Sequence, residues 1–205
     1  MSASERRKTM NENKCASAAE ACNLLLGLVI VAQFPIMFGM VSGNAAIQII
    51  PWVLTAYPMI LITVVLMYKN GDIVGATCNA VLSVVLMGQN FVKGILSLIY
   101  FVTDKKVPIE FARDTALIDG CAYLVGAVML VFIGWLAFMG CRIAGVCIWA
   151  SATGFLGLTL MYFGILSMGG LIAGIGLNIL AVWLIYSGIG GIVNKATGKQ
   201  IFPKC

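Results

Sequence analysis

The stretch Gly120–Cys141 reads GCAYLVGAVMLVFIGWLAFMGC, and none of its 22 residues is charged. A helix needs about 20 predominantly apolar residues to cross the hydrocarbon core of a bilayer. Lipid offers no hydrogen-bond partners to the backbone, so a segment that crosses it must be a helix or part of a closed barrel. The run lacks the strict apolar–polar alternation of barrel strands. This stretch therefore predicts a transmembrane helix.

Other parts of the chain contain uncharged runs of similar or double length. Residues 21–68 and 143–194 hold 48 and 52 uncharged residues, each enough for two spans, and residues 73–92 hold 20. With the first stretch, these runs predict six spans, at residues 21–42, 49–68, 73–92, 116–138, 144–165 and 170–193. The predicted fold class is an all-α membrane protein with a six-helix transmembrane domain over residues 21–194.

The composition restricts what can surround the molecule. Of the 205 residues, 61% are hydrophobic and only 10% are charged, whereas a soluble domain carries about 25% charged residues. This number of charges is too small to cover a water-facing surface. The lipid bilayer or other copies of the chain must therefore cover most of the surface of the molecule. A nucleic-acid-binding role would require a basic soluble domain, and the sequence contains none.

The distribution of lysine and arginine predicts the orientation. With six spans, nine basic residues fall on the side of the termini and four on the other side, and an excess of basic residues marks the cytoplasmic side. The cytoplasmic set is Arg6, Arg7, Lys8, Lys14, Lys69, Arg142, Lys195, Lys199 and Lys204, and the opposite set is Lys93, Lys105, Lys106 and Arg113. We therefore expect cytoplasmic tails at residues 1–20 and 195–205, a main extracellular loop at 93–115, and a location in the plasma or bacterial inner membrane.

Two common signals of catalysis are missing from the sequence. The chain has no histidine, so Ser–His and Cys–His nucleophile pairs cannot form. It also has no Gly-x-x-x-x-Gly-Lys-Ser/Thr loop for nucleotide phosphates. We expect neither an enzyme nor a metal or cofactor site.

The most specific motif lies near the end of the chain, where residues 183–203 read WLIYSGIGGIVNKATGKQIFP. Tyr186 precedes Asn194 by eight residues, Gly198 follows Asn194 by four, and a basic residue and then Pro203 come after it. These spacings resemble the ending of the acetate uptake transporter family, which comprises the bacterial succinate–acetate permeases and their fungal relatives.

A second motif lies between the second and third predicted spans, where residues 68–77 read YKNGDIVGAT. It is similar to the family's Tyr-Lys-Lys-Gly-Asn-Thr-Phe-Gly-x-Thr segment and shares with it Tyr68, Gly71, Gly75 and Thr77. The resemblance implies six spans, cytoplasmic termini, a small carboxylate as substrate, and a ring-shaped homo-oligomer. The ring would be a hexamer with a pore in each protomer.

The chain also departs from the family pattern. Of the family's Asn-Pro-Ala-Pro-Leu-Gly-Leu signature, only the Leu-Gly-Leu of residues 26–28 remains. The family has an apolar constriction of a Phe, a Tyr and a Leu. By offset from the motifs, these positions correspond to Val31, Leu82 and Ser151, none of which keeps the family residue.

Polar residues follow one face of the third predicted span. Asn79, Ser83 and Asn90 lie four and seven residues apart, which places them on one stripe of an α-helix. Because a polar side chain in lipid must face inward or bond another helix, this stripe is our candidate for the lining of the substrate pathway. The alternative is that each residue makes a helix–helix hydrogen bond, worth about 0.6–2 kcal/mol.

Lys93 continues the stripe toward the outer side, and two interpretations remain open. A cation at the mouth of a pathway would attract anions. The lysine could equally extend to the lipid headgroups and pair with Asp119.

Three pairs of small residues have the spacing that lets helices approach closely. They are Gly71 and Gly75, Gly170 and Gly174, and Ser187 and Gly191. Packing within one protomer and contact between subunits both remain open.

These observations predict a membrane channel or secondary transporter for small monocarboxylates such as acetate, with succinate as a further candidate. No acidic residue occupies the middle of a span, so a proton would have to cross on the substrate itself. One alternative is a channel for a small neutral solute such as urea, an amide or ammonia. Another is a membrane sensor or assembly protein that transports nothing.

Overall fold

The computed structural model describes residues 18–41, 49–103 and 109–203, and these residues form helices and turns without a strand. The helices are α1 (Ala18–Ala32), α2 (Phe34–Met37), α3 (Ile50–Lys69), α4 (Ile73–Leu82), a π-helical segment (Ser83–Gly88), α5 (Gln89–Val102), α6 (Ile109–Gly140), α7 (Arg142–Tyr162) and α8 (Gly169–Thr197).

Six stretches of helix in the described residues are long and apolar enough to cross a membrane, which confirms the prediction of six spans. They are Ala18–Met37, Ile50–Lys69, Ile73–Tyr100, Asp114–Gly140, Arg142–Tyr162 and Gly169–Thr197. Large apolar side chains on their outer faces are exposed in the protomer, for example Phe132, Trp135 and Val182. A surface of this kind is covered by lipid or by another protein chain. Together with the six long apolar helices, it identifies the chain as a multi-pass membrane protein.

The helices run further than the uncharged segments. Residues 93–102 and 109–115, expected in the outer loop, belong to α5 and α6, and residues 18–20 and 195–197, expected in the tails, belong to α1 and α8. The difference has a physical cause, because a gap between charges marks the hydrocarbon core, whereas a helix continues into the headgroup region where charged side chains reach water. Lys105 and Lys106, also expected in the loop, lie outside the described residues.

Each span packs against the next one along the chain, and the sixth packs against the first, so the spans form a closed circuit. Large apolar side chains fill the interior, and Leu26, Ile30, Leu82, Leu86 and Phe155 are at most 1% exposed.

The alternating direction of the spans defines two ends. The terminal end holds the start of α1, the α3–α4 turn and the end of α8. The opposite end holds α2, the end of α5 and the α7–α8 turn.

Proline and glycine account for local irregularities. Pro35 cannot donate a backbone hydrogen bond, and the first span is interrupted at Gln33, just before it. Pro58, in contrast, lies inside α3, which continues through it. In α7, Gly157 lets α8 approach, because a Cβ there would lie only 2.8 Å from the carbonyl oxygen of Gly169.

Candidate functional site

The third span changes helix type where the polar stripe was expected to continue. Residues Ser83–Gly88 form a π-helix, which holds more residues per turn than an α-helix. Relative to an uninterrupted α-helix, the residues after Gly88 are therefore turned about the helix axis by about 100°, the angle of one α-helical residue. Asn79 contacts α1 and α3, whereas Lys93 contacts α6. The spacing of Asn79, Ser83 and Asn90 therefore does not give a single face in the folded chain.

The inner part of the stripe lies inside the bundle. Asn79 is 3% exposed and Ser83 is fully buried. The Ser83 hydroxyl donates to the Asn79 carbonyl oxygen on its own helix, at 2.6 Å. Asn90 is only partly buried, and its amide donates to the Leu86 carbonyl oxygen at 2.5 Å.

Of the three positions inferred for the family constriction, two are buried and one is exposed. Leu82 and Ser151 are both fully buried, and Ser151 donates to the carbonyl oxygen of Ile148 at 2.7 Å. Val31 is 43% exposed on the outer face of the first span, and Ile30 points inward in its place. Val31 therefore does not line the interior of the protomer, where it was expected to lie in the substrate pathway. The residue of α1 that faces the interior at this level is its neighbour Ile30.

Three polar side chains form a hydrogen-bonded series across three helices, which we call the amide chain: Ser187, Asn23 and Asn79. The Asn23 amide donates to the Ser187 hydroxyl at 3.1 Å, and the Asn79 amide donates to the Asn23 carbonyl oxygen at 3.3 Å. The Asn79 Oδ1 is buried and has no hydrogen-bond partner among the described residues. A buried acceptor without a donor is costly, so this atom is a place where a solute could bind.

A cavity of about 250 Å³ adjoins the amide chain at the terminal end, between α1, α8 and the residues after α8. We call it the terminal cavity. Its lining includes the polar residues Glu20, Asn23 and Ser187 and the aromatic residues Trp183, Tyr186 and Phe202. It thus offers hydrogen-bonding groups and apolar surface to the same small molecule.

An ion pair joins the two helices beside this cavity. Glu20 on α1 pairs with Lys195 on α8, and their side chains are 14% and 36% exposed. Gly191 makes room for Glu20, because a Cβ there would overlap the glutamate side chain. The spacing of Ser187 and Gly191 therefore serves packing within the protomer.

The motif near the end of the chain forms a turn that folds back on α8. Gly198 ends α8 with φ of 64°, a conformation that favours glycine. The Asn194 amide donates to the Phe202 carbonyl oxygen at 2.7 Å. Its Oδ1 accepts from the backbone N–H groups of Ile201 and Phe202, both at 2.8 Å. One side chain therefore holds the returning segment through three bonds.

The first and the last matched residues of that motif, Tyr186 and Pro203, meet across this turn. The Tyr186 hydroxyl donates to the Pro203 carbonyl oxygen at 3.5 Å, and its ring meets the ring of Phe202 edge to face, with 5.9 Å between centroids. The returning segment is therefore fixed against the last turns of α8.

The second motif forms the α3–α4 turn. Gly71 adopts φ of 82°, and the Asp72 carboxylate accepts from the Gly75 N–H at 2.9 Å, which caps α4. The hydroxyl groups of Tyr68 and Thr77 are 2.9 Å apart and share a hydrogen bond across the turn. The matched residues of this motif are thus those that shape the turn.

At the opposite end, Lys93 pairs with Asp119, and the aspartate side chain is only 8% exposed. The Lys93 ammonium also lies 5.7 Å from the centroid of the Tyr162 ring. Tyr162 stacks on Tyr123, which meets Phe155 edge to face. This aromatic column connects the charge pair with the apolar core. Of the two interpretations of Lys93, the structure contains the pair with Asp119.

Sequence reasoning missed the partners of Asn79 in the amide chain. Asn23 and Ser187 are 164 residues apart, and no local spacing connects them. The available signal was the scarcity of amide side chains in the spans, since each one must find a partner or line a polar space.

Comparison of the chain with protein-family models, with curated proteins and with solved structures gives no match. The resemblance to the acetate uptake transporter family therefore stays a prediction that depends on the two motifs.

Proposed function

We propose that this chain is a membrane channel or secondary transporter for small monocarboxylates such as acetate, with succinate as a second candidate substrate. The observation that most favours this function is the terminal cavity beside the amide chain. Asn23 and Ser187 in its lining suit a protonated carboxyl group, and its aromatic rings suit a short alkyl group. By the resemblance of the two motifs, the protein would act as a homo-oligomer, a hexamer, in the plasma or bacterial inner membrane with its termini in the cytoplasm.

The proposed mechanism is passage from the terminal cavity along the amide chain into the apolar interior. A solute must lose water to enter this interior, and Asn23 and Asn79 would replace part of the lost hydrogen bonding. Leu82 and Leu86, both buried, would form the narrow apolar part of the route. Beyond Glu20 in the terminal cavity, the amide chain contains no carboxylate, so a proton that crosses there would travel on the substrate.

Uptake of labelled acetate into proteoliposomes at pH 6 and pH 8, with and without excess succinate, tests this proposal. We expect saturable uptake that succinate inhibits. Uptake no greater than in empty liposomes would contradict the proposal and favour a protein that does not transport acids.

Asn79→Leu should lower the uptake rate without changing expression or oligomer size. A loss of about 1.4 kcal/mol of stabilisation at the barrier corresponds to a tenfold lower rate. Asn178→Leu is the matched control, because Asn178 is partly buried and donates only to its own helix, to the Gly174 carbonyl oxygen at 2.7 Å. Normal uptake in Asn79→Leu would mean that the amide chain is a packing contact.

One observation favours a second candidate function, a channel for small neutral solutes. The unpartnered Asn79 Oδ1 is an acceptor, so it suits the N–H donors of urea, an amide or ammonia. Competition experiments separate the two functions. Formate and propionate should inhibit acetate uptake by a carboxylate transporter, whereas urea should inhibit uptake by a channel for neutral solutes.

A further inference from the structure

Phe202 is a wall of the terminal cavity that the chain supplies from outside its spans. Its ring meets the Tyr186 ring at 5.9 Å between centroids. It also covers Gly190, where an added Cβ would lie 3.0 Å from the Cβ of Phe202. The absence of a side chain at Gly190 thus lets the phenylalanine lie directly on α8, between the helix and the returning segment.

The segment that carries Phe202 is held by its backbone. The three hydrogen bonds from Asn194 reach the N–H of Ile201 and the N–H and C=O of Phe202. None of these bonds involves the phenylalanine ring. A substitution of the ring therefore leaves these three hydrogen bonds intact. A substitution of Asn194 removes the three bonds and leaves the ring unchanged.

The cavity is small enough for one aromatic ring to determine what fits. Its volume of about 250 Å³ lies below the roughly 300–1,000 Å³ of pockets for drug-sized ligands. An acid whose carboxyl group bonds to Asn23 or Ser187 would place its alkyl chain against the aromatic rings of the lining, which are Trp183, Tyr186 and Phe202. Trp183 and Tyr186 belong to α8, whereas Phe202 lies on the returning segment.

We propose that Phe202 sets the largest alkyl chain that the cavity admits, and that Asn194 is the residue that positions it. This inference rests on the proposed function and adds to it the basis of size selection. A smaller side chain at position 202 should admit longer acids, and so should a released segment.

The experiment measures how unlabelled acetate, butyrate and hexanoate inhibit the uptake of labelled acetate into proteoliposomes. The ratio of the half-inhibitory concentrations of hexanoate and acetate should fall roughly tenfold in Phe202→Ala, the lower end of what apolar pockets achieve per methylene. Phe202→Leu should give an intermediate ratio. Asn194→Ala should shift the ratio in the same direction, and Asn178→Ala on the same helix should leave it unchanged.

Hydrogen exchange at the Ile201 and Phe202 amides provides a readout that does not depend on transport. Both amides should be protected in the unmodified protein and in Phe202→Ala, and should exchange faster in Asn194→Ala. Loss of protection in Phe202→Ala would mean that the ring holds the segment, which would overturn the positioning role of Asn194.

The outcomes separate this inference from the proposed function. Saturable uptake with the same inhibition ratio in Phe202→Ala and the unmodified protein would overturn size selection alone. Absence of saturable uptake by the unmodified protein would overturn both proposals.

Discussion

The two ends of the bundle are held together in different ways. At the terminal end, the Asp72 and Asn194 turns are fixed by side chains that bond to backbone groups three to eight residues away. At the opposite end, Lys93 pairs with Asp119 on another helix and lies over the ring of Tyr162 on a third. Local bonds from side chains to the backbone thus shape the turns of the terminal end. Both ends also contain a charge pair between distant helices, and its carboxylate is more deeply buried at the opposite end, where the Asp119 side chain is 8% exposed against 14% for Glu20.

This difference predicts unequal costs of substitution. A turn bond that is lost near the surface can be replaced by water, so its net contribution is about 1 kcal/mol. A buried charge that loses its partner keeps its desolvation cost, so breaking such a pair costs about 3–5 kcal/mol. The opposite end should therefore be the more sensitive to single substitutions.

The largest effect is expected for Lys93→Met. It leaves Asp119, which is 6% exposed, without its partner, and should lower the free energy of unfolding by on the order of 3 kcal/mol. Asp119→Leu should cost less, because Lys93 is long enough to reach the headgroups. Thermal unfolding in detergent measures both.

Two further variants test the same pair. Lys93→Met with Asp119→Leu should recover much of the loss, because no unpaired charge is left. Lys69→Met, at an exposed lysine, is the control for loss of a surface cation and should change little. If the double variant is no more stable than Lys93→Met, the lysine contributes through packing.

An intermediate effect is expected for Asp72→Ala, which removes the cap of α4 and should cost about 1 kcal/mol. Asp72→Asn keeps an acceptor for the Gly75 N–H and should be nearly neutral, since asparagine caps helices as well as aspartate does. Thermal unfolding of the two variants side by side provides the measurement. Equal losses would indicate that the negative charge matters more than the hydrogen bond.

The smallest effect is expected for Tyr68→Phe, which removes the exposed hydrogen bond to Thr77 and should cost about 0.5 kcal/mol. Thr77→Val removes the same bond from the other side. If this bond is what both variants lose, the double variant should cost less than the sum of the two. Additive losses would show that the two hydroxyl groups act separately.

The six spans could be predicted from the sequence because long runs without charged residues mark them. The same holds for the two turns, since Gly71, Asp72 and Gly198 are residues with strong local preferences. The amide chain could not be predicted, because its bonds join helices far apart in sequence. The pair of Lys93 and Asp119 was one of two open interpretations, and spacing alone could not decide between them.

The π-helical segment was also beyond prediction. Residues 83–88 read SVVLMG, an apolar run that an α-helix accommodates equally well. The position of Val31 was misplaced for a related reason. The offset from a distant motif carries an error of one residue, and one residue turns a helix by about 100°.

The π-helical segment also affects how the third span can evolve. It holds one residue more than an α-helix needs for the same advance, so the loss of a single codon there would restore an α-helix and leave the second half of the span in its present orientation. Asn90 and Lys93 would then keep the faces they occupy now, away from the face that carries Asn79. A one-residue deletion in this segment would therefore be absorbed, whereas the same deletion in an α-helical part of the span would turn every residue beyond it by about 100°.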